Sequence, residues 1–323
     1  MEATQQMQGA DRAYPRELGA RAGRFLDYVR EESPALFKTV LQSAQSQPAV
    51  FGELAGTMLE WADVFLGSVC DGTLVEGYTH LLMDVVASQM AYEKRGRYEF
   101  DSFAQAAKNV YQNNDFMDKY HWGVYAATFA WEHHLLVYDF FRRYYASRLE
   151  RMNGPMSFMD LGSGSGLWSM LALRALPAAR ATLVDVSETS VELCRKFLSA
   201  NGFAARAIVT QGDALTFRPA QPADAGLCCC LLEHMERPHD LMANLAAGLK
   251  PGALAFVTGA LTAAETSHIF EFRRESELSN MAEECGFRVL GTCSANLAPL
   301  TADAKYLPRS MALVLQKRRG LYA

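Results

Sequence analysis

Phe158-Met159-Asp160-Leu161-Gly162-Ser163-Gly164-Ser165-Gly166 is the stretch that decides the fold of this 323-residue chain. An apolar run ends in an acid and passes into glycines at alternate positions. Glycines just past a strand let the backbone turn tightly and approach a ligand closely, and the helix that follows offers unpaired N–H groups. A dinucleotide loop reads G-x-G-x-x-G; counted from Gly162, its last glycine falls on Leu167. Asp160, two residues ahead of the first glycine, sits badly beside a pyrophosphate and suits an ammonium group. The loop therefore points to a cationic, amino-acid-like ligand, and a nicotinamide-dependent oxidoreductase fails on the glycine spacing.

Outward from this loop the text alternates short apolar runs with helical stretches. Strands are predicted over 156–161, 181–186, 205–210, 225–232, 254–258, 287–293 and 311–316. Helices follow the glycine loop and occupy 187–199, 238–249 and 276–285, with stop signals at Asn201-Gly202, Lys250-Pro251-Gly252 and Gly286. Strands spaced by helices argue a parallel sheet with helices on both faces. Two more acids stand at strand ends. Asp185 closes the second strand, where a carboxylate can accept both hydroxyls of a ribose. Asp213, in Gln211-Gly212-Asp213-Ala214, can accept from an adenine amino group. Each acid alone reads as a solvated cap or turn residue. Three at successive carboxyl ends form the edge where open parallel sheets bind ligands.

Before Arg151 the periodicity is helical almost throughout, with helices predicted over 51–70, 78–91, 98–118 and 120–151. The last is long and aromatic, with Trp122, Tyr125, Phe129, Trp131, Tyr138, Phe140, Phe141, Tyr144 and Tyr145. The chain thus divides into a helical domain, 1–150, and an alternating domain, 151–323. Half of the residues are hydrophobic and 21% charged, enough apolar material for a sizeable core. A net charge of -5 and a pI near 5.8 exclude the basic footprint of a dedicated nucleic-acid binder and offer nothing to anionic lipid. No stretch approaches the roughly 20 apolar residues of a membrane span, and 1–13 lacks a secretory h-region. Seven cysteines without a C-x-x-C pair read as reduced thiols, so the expected location is the cytoplasm.

The region 156–317 resembles the class I S-adenosylmethionine-dependent methyltransferases. The resemblance is carried by D-L-G-S-G-S-G at 160–166, V-D at 184–185, G-D-A at 212–214, L-E-H at 232–234, L-K-P-G at 249–252 and E-C-G-F at 284–287. It implies an α/β, doubly wound, seven-stranded Rossmann-like sheet whose last strand is antiparallel, here with an all-helical N-terminal domain. S-adenosylmethionine is the implied cofactor and S-adenosylhomocysteine the product. The implied cofactor contacts are Asp160, Gly162, Ser163, Gly164 and Gly166 with the loop around the methionine portion, Asp185 at the ribose, Asp213 toward the adenine, and Val186, Gly212, Ala214 and Leu231 beside them.

Methyl transfer from a sulfonium needs an aligned acceptor and, for a neutral hydroxyl or amine, removal of a proton. Leu231-Leu232-Glu233-His234-Met235, at the end of the fourth strand, resembles the small-molecule methyltransferases of quinone biosynthesis. His234 is the leading general base, since an ordinary imidazole exchanges protons near neutral pH, with Glu233 beside it; the plainer reading is that both cap a helix. Some quinone methyltransferases hold a divalent metal with a further Glu three residues before this pair. Cys230 stands there in this chain, so no metal is expected, although a soft set of Cys230, His234 and His268 is conceivable. From the helical half, His121 and His133 are the better candidates to face an acceptor; adjacent His133 and His134 point about 100° apart on a helix. His268, after the fifth strand, is weaker. The expected acceptor is a small molecule, methylated on oxygen first and on nitrogen, sulfur or carbon as alternatives. A homodimer through the N-terminal helices is also expected. The rival outside enzymes is a methyltransferase-like interaction subunit, which would tolerate decay of the cofactor loop.

Overall fold

In the computed structural model, which describes residues 14–106, 114–152, 154–296 and 306–319, the N-terminal half is a stack of helices. These are α1 (Gly19–Glu32), α2 (Pro34–Ser46), α3 (Pro48–Leu66) and α4 (Cys70–Arg95). Pro34 and Pro48 stand in the first turns of α2 and α3, where a missing N–H leaves no hydrogen bond unmade. Gly96 ends α4 at φ +75°, its N–H on the carbonyl of Tyr92 at 2.7 Å. A short α5 (Phe103–Ala106) and α6 (Asn114–Ala130) follow. The expected helix over 98–118 is therefore realised only in part, and 107–113 of it lie outside the described residues.

The single helix expected over 120–151 is broken. Trp131 is extended (φ -101°, ψ 129°), and beyond it come α7 (Glu132–Phe140), a π-helical turn (Phe141–Ala146) and α8 (Ser147–Glu150). The carbonyls at the break find other partners. Ser43 Oγ donates to the Ala130 carbonyl at 2.7 Å, and the Trp131 carbonyl accepts from the N–H groups of His134 and Leu135 at 3.1 and 3.2 Å. Hydrophobic periodicity cannot register such a break, because both sides keep their apolar faces on one core.

The second half alternates as expected: β1 (Ser157–Leu161), α9 (Leu167–Ala175), β2 (Arg180–Asp185), α10 (Glu188–Ala200), β3 (Ala207–Gln211), β4 (Ala223–Cys228), α11 (Pro238–Ala247), β5 (Leu249–Leu261), α12 (Glu275–Glu284), β6 (Phe287–Asn296) and β7 (Arg309–Lys317). The strand order is β3-β2-β1-β4-β5-β7-β6, with β7 antiparallel to both neighbours. Connections leave β1 toward β2 on one side while β4 lies on the other, which opens a crevice at the carboxyl ends of β1 and β4. β4 ends four residues earlier than predicted. Cys230 takes a positive φ of 51° with its N–H on Thr258 Oγ1 at 2.8 Å, and the apolar run then folds into a 3-10 turn, Leu232–His234.

The core of the helices runs without a break into one face of the sheet. Phe256 on β5 is buried against the rings of Phe141, Trp168 and Tyr145 at 5.1, 5.6 and 5.7 Å, and Tyr145 Oη donates to the Gly226 carbonyl at 2.8 Å. Helices α11 and α12 cover the opposite face with Leu241, Leu245 and Leu278. At the crossing of α4 and α6, a Cβ on Gly123 would stand 2.5 Å from the Gly77 carbonyl oxygen. Only glycine allows the two backbones this approach, and it sets where α6 lies. Gly123→Val should therefore cost about 1–3 kcal/mol of stability, as overpacked sites do, read as a lower urea midpoint at unchanged denaturant slope.

Candidate active site

The carboxyl ends of β1, β2 and β4 and the loop after β3 open on a cavity of about 420 Å³ whose far wall is α6 and α7. Asp160 stands at the rim near the end of β1, only 2% exposed. The Ser169 hydroxyl donates to its Oδ2 at 2.7 Å, and burial raises its pKa to about 6. Asp185 is treated differently. Each of its oxygens accepts one backbone N–H, from Gly164 and from Ser187, both at 2.9 Å. A carboxylate has about four lone-pair sites, so both oxygens keep capacity for hydroxyl donors. Asp213 is exposed, its Oδ1 accepting from Leu215 N at 2.8 Å in a tight turn.

The glycines divide between two jobs. Gly162 (φ +72°) passes beneath Leu231, whose side chain a Cβ would meet at 2.5 Å, whereas Gly164 (φ +52°) has open space where its Cβ would be. The open cradle at Gly164, the hydroxyl-ready Asp185 and the buried Asp160 fit the ribose and ammonium of S-adenosylmethionine. Asp160, Gly162, Ser163, Gly164, Asp185, Val186, Asp213, Ala214 and Leu231 all line the cavity. Gly166 and Gly212 do not. Gly166 (φ +82°) packs against Cys194 instead, its Cβ position 2.7 Å from Sγ, and Gly212 lies beside Val184.

Glu233 and His234, on the 3-10 turn after β4, add polar groups to the cavity lining, with Cys230 and Thr258 beside them. His234 Nδ1 donates to the Ser267 carbonyl at 3.1 Å, and burial lowers its pKa to about 4. Burial raises Glu233 to about 8, and its Oε2 has no hydrogen-bond partner among the described residues. Desolvation thus reverses the order expected from ordinary pKa values: the Glu233 carboxylate is the stronger base of the two. His121 lines the cavity with its Nε2 3.2 Å from Ser190 Oγ, and burial lowers its pKa to about 4. His133 is not brought to this site. The break at Trp131 turns His134 into the cavity and leaves His133 on a second one, with Trp131, Glu132 and Ala263.

Residues with no motif complete the wall: Tyr120, Tyr125, Thr128 and Trp168 face the cavity. Behind Glu233, Glu265 was also missed; its side chain keeps 17% exposure, accepts from Tyr120 Oη at 3.3 Å and lies 3.7 Å from His268 Nε2. Nothing in the loop sequence marks it, because its neighbours come from α6 and from the turn after β4. No described helix is long and apolar enough to cross a membrane.

Residues 158–252 match the family model described as a methyltransferase domain. Among curated relatives, the release factor glutamine methyltransferase of Chlorobaculum tepidum is 33% identical over 85 residues, 26% of this chain and 29% of that one. The chain thus spans under a third of that relative. The ubiquinone biosynthesis O-methyltransferase of Coxiella burnetii is 29% identical over 161 residues, 44% of this chain and 68% of the relative. Among solved structures, an O-methyltransferase family protein from Burkholderia thailandensis superposes with a TM-score of 0.55 at 14% identity, over 77% of this chain and 72% of that one; it shares the fold.

A carboxyl whose folded pKa lies above its unfolded value favours folding while protonated and costs stability once pH rises through the folded value. Asp160, raised to about 6, should therefore weaken the unliganded fold above that pH. Asp160→Asn is expected to gain on the order of 2–3 kcal/mol at about pH 8, the gain shrinking toward zero near pH 4. Thermal melts of both proteins across this range check it.

Proposed function

We propose that this chain is a class I S-adenosylmethionine-dependent methyltransferase, in keeping with the methyltransferase-domain match over residues 158–252, and that it moves a methyl group to the oxygen of a small, flat, largely apolar acceptor. S-adenosylmethionine supplies an electrophilic methyl carbon bonded to a positively charged sulfur. The observation that carries the reading is a single cavity with the carboxylate rim on one side and the Glu233–His234 pair and the aromatic helical wall on the other.

Asp160 answers the ammonium of the cofactor's amino-acid end and Asp185 the ribose hydroxyls. Together they fix the reacting end across the cavity from α6 and α7. An acceptor seated among Tyr120, Tyr125, Thr128 and Trp168 then presents its hydroxyl toward Glu233, which takes up its proton in the carboxylate form that it reaches as pH rises through about 8, with His234 beside it. Alignment supplies a large share of the expected acceleration, because holding the reactants in line turns a bimolecular step into an effectively unimolecular one. The net charge of -5 and the aromatic wall favour a small molecule over nucleic acid, and the ubiquinone O-methyltransferase relative supports oxygen as the methylated atom.

Two measurements test this reading. Calorimetry with S-adenosylhomocysteine should show binding that Asp185→Ala weakens at least about tenfold, the loss of one charge-assisted pair of hydrogen bonds. Binding should also fade as pH falls through about 6, where Asp160 takes a proton and loses its attraction for the ammonium. With a panel of phenolic acceptors, Glu233→Gln should lower kcat about 10²–10⁴-fold, the range of a lost proton acceptor, while S-adenosylhomocysteine affinity holds. Undetectable S-adenosylhomocysteine binding would overturn the proposal.

A further inference from the structure

The helical wall of the cavity spends most of its polar atoms on the protein itself. Tyr120 Oη reaches Glu265, His121 Nε2 lies 3.2 Å from Ser190 Oγ, Tyr125 Oη donates to the Met58 carbonyl, and Thr128 Oγ1 donates to the Val124 carbonyl. Met117, Val124 and Val137 fill the space between them with apolar surface. An acceptor resting on this wall therefore meets side chains whose polar ends are already engaged. His134, in the first turn of α7, differs.

The break at Trp131 brings His134 here. Extended backbone at Trp131 restarts the helix, and the His134 ring is tied to the last turn of α6, its Nδ1 3.1 Å from the Ala127 carbonyl oxygen. A carbonyl can only accept, so Nδ1 carries the proton and the lone pair is on Nε2. Nε2 has no hydrogen-bond partner among the described residues and, unlike Nδ1 of His80, it is not sealed inside the protein. Burial lowers the His134 pKa to about 4, so the ring is neutral and Nε2 is a hydrogen-bond acceptor at neutral pH. The rings of Trp131 and His133, with centroids 5.2 and 4.3 Å away, hold the imidazole in this orientation. A group fixed by its surroundings before a ligand arrives is what selective recognition requires.

We propose that His134 determines acceptor specificity by accepting a hydrogen bond from a second hydroxyl, one carried by the acceptor apart from the hydroxyl that is methylated. The substrate class narrows from a flat phenol to a flat arene with two hydroxyls, the reacting one toward Glu233 and the other toward α7. A neutral imidazole offers a lone pair without a charge, which suits a neutral donor. His134 takes the hydrogen bond without taking the proton, because Glu233, raised by burial to about 8, is the stronger base of the two. An arene that lacks the second hydroxyl removes water from Nε2 and leaves it unpaired, and sites built around a hydroxyl reject such analogues for that reason. The inference rests on the methyl-transfer reading for which hydroxyl reacts; the recognition at Nε2 rests on the cavity.

The test is calorimetry on the full chain saturated with S-adenosylhomocysteine. Dihydroxynaphthalenes of several substitution patterns are compared with their monomethyl ethers, in which the second oxygen can accept but cannot donate. At least one diol should bind about tenfold or more tightly than its ether, the effect of leaving one buried partner unpaired, and His134→Phe should bring that ratio below about twofold. S-adenosylhomocysteine binding by the variant reports that its pocket is folded. Nitrogen NMR of the parent with labelled histidine gives a readout that needs no folded variant: the diol, and not the ether, should move an unprotonated ring-nitrogen resonance upfield. Equal affinity for every diol and its ether, binding of none of them, a ratio that survives His134→Phe, or an unmoved resonance overturns the role of His134. S-adenosylhomocysteine binding by the parent then leaves methyl transfer standing. A parent that binds no S-adenosylhomocysteine overturns the methyl-transfer reading, and the same titrations run without it still judge His134.

Discussion

A carboxylate kept out of water near the end of β1 is the constraint around which the rest of the molecule is arranged. Among the described residues, Asp160 has one hydroxyl, from Ser169, and no positive side chain to offset its burial. Such a group disfavours its own charged form until a cation arrives. Asp185, at the end of the adjacent strand β2, is also raised by burial, but backbone N–H groups, one of them from the glycine loop itself, offset part of that cost. The rim is thus graded. One acid awaits a positive charge, one is already hydrogen-bonded and ready for hydroxyls, and Asp213 is exposed at the mouth. A ligand with an ammonium at one end and a nucleoside at the other matches that gradient in order.

The helical half completes the cavity and also sets the acceptor side from behind. Gln89 Oε1 on α4 accepts from Ala264 N at 2.9 Å, Tyr98 Oη donates to the Ala263 carbonyl at 2.9 Å, and the Asp84 carboxylate accepts from both N and Oγ1 of Thr266. These contacts hold the loop that carries Glu265, Ser267 and His268, and Ser267 in turn holds His234. The helices therefore act on the chemistry through backbone carbonyls and loop position as much as through the aromatic wall. Their core is continuous with one face of the sheet through Phe256, so the wall and the rim keep a fixed separation.

What could be read along the chain was local. The glycine loop, the alternation of strands and helices, and the three acids each depend on residues within a few positions of one another, and period and turn chemistry report such features directly. The seven-stranded sheet with an antiparallel last strand followed from resemblance to a family, and the sheet has both features. The break at Trp131 had no local signal, because its orphan carbonyl is satisfied by Ser43, a side chain far away in sequence. It exchanged the roles of His133 and His134. The early end of β4 likewise depends on Thr258 capturing the Cys230 N–H from the neighbouring strand.

Consecutive residues were enough to read a glycine loop and three acids at strand ends, a pattern that suits a cationic nucleoside, since charge type and turn geometry are local properties. Which groups share the buried space beyond them depends on packing between distant segments. Glu233, His234, Glu265 and His268 come from separate segments, and desolvation, which reorders their proton affinities, depends on what surrounds them in three dimensions and not on what precedes them in the chain.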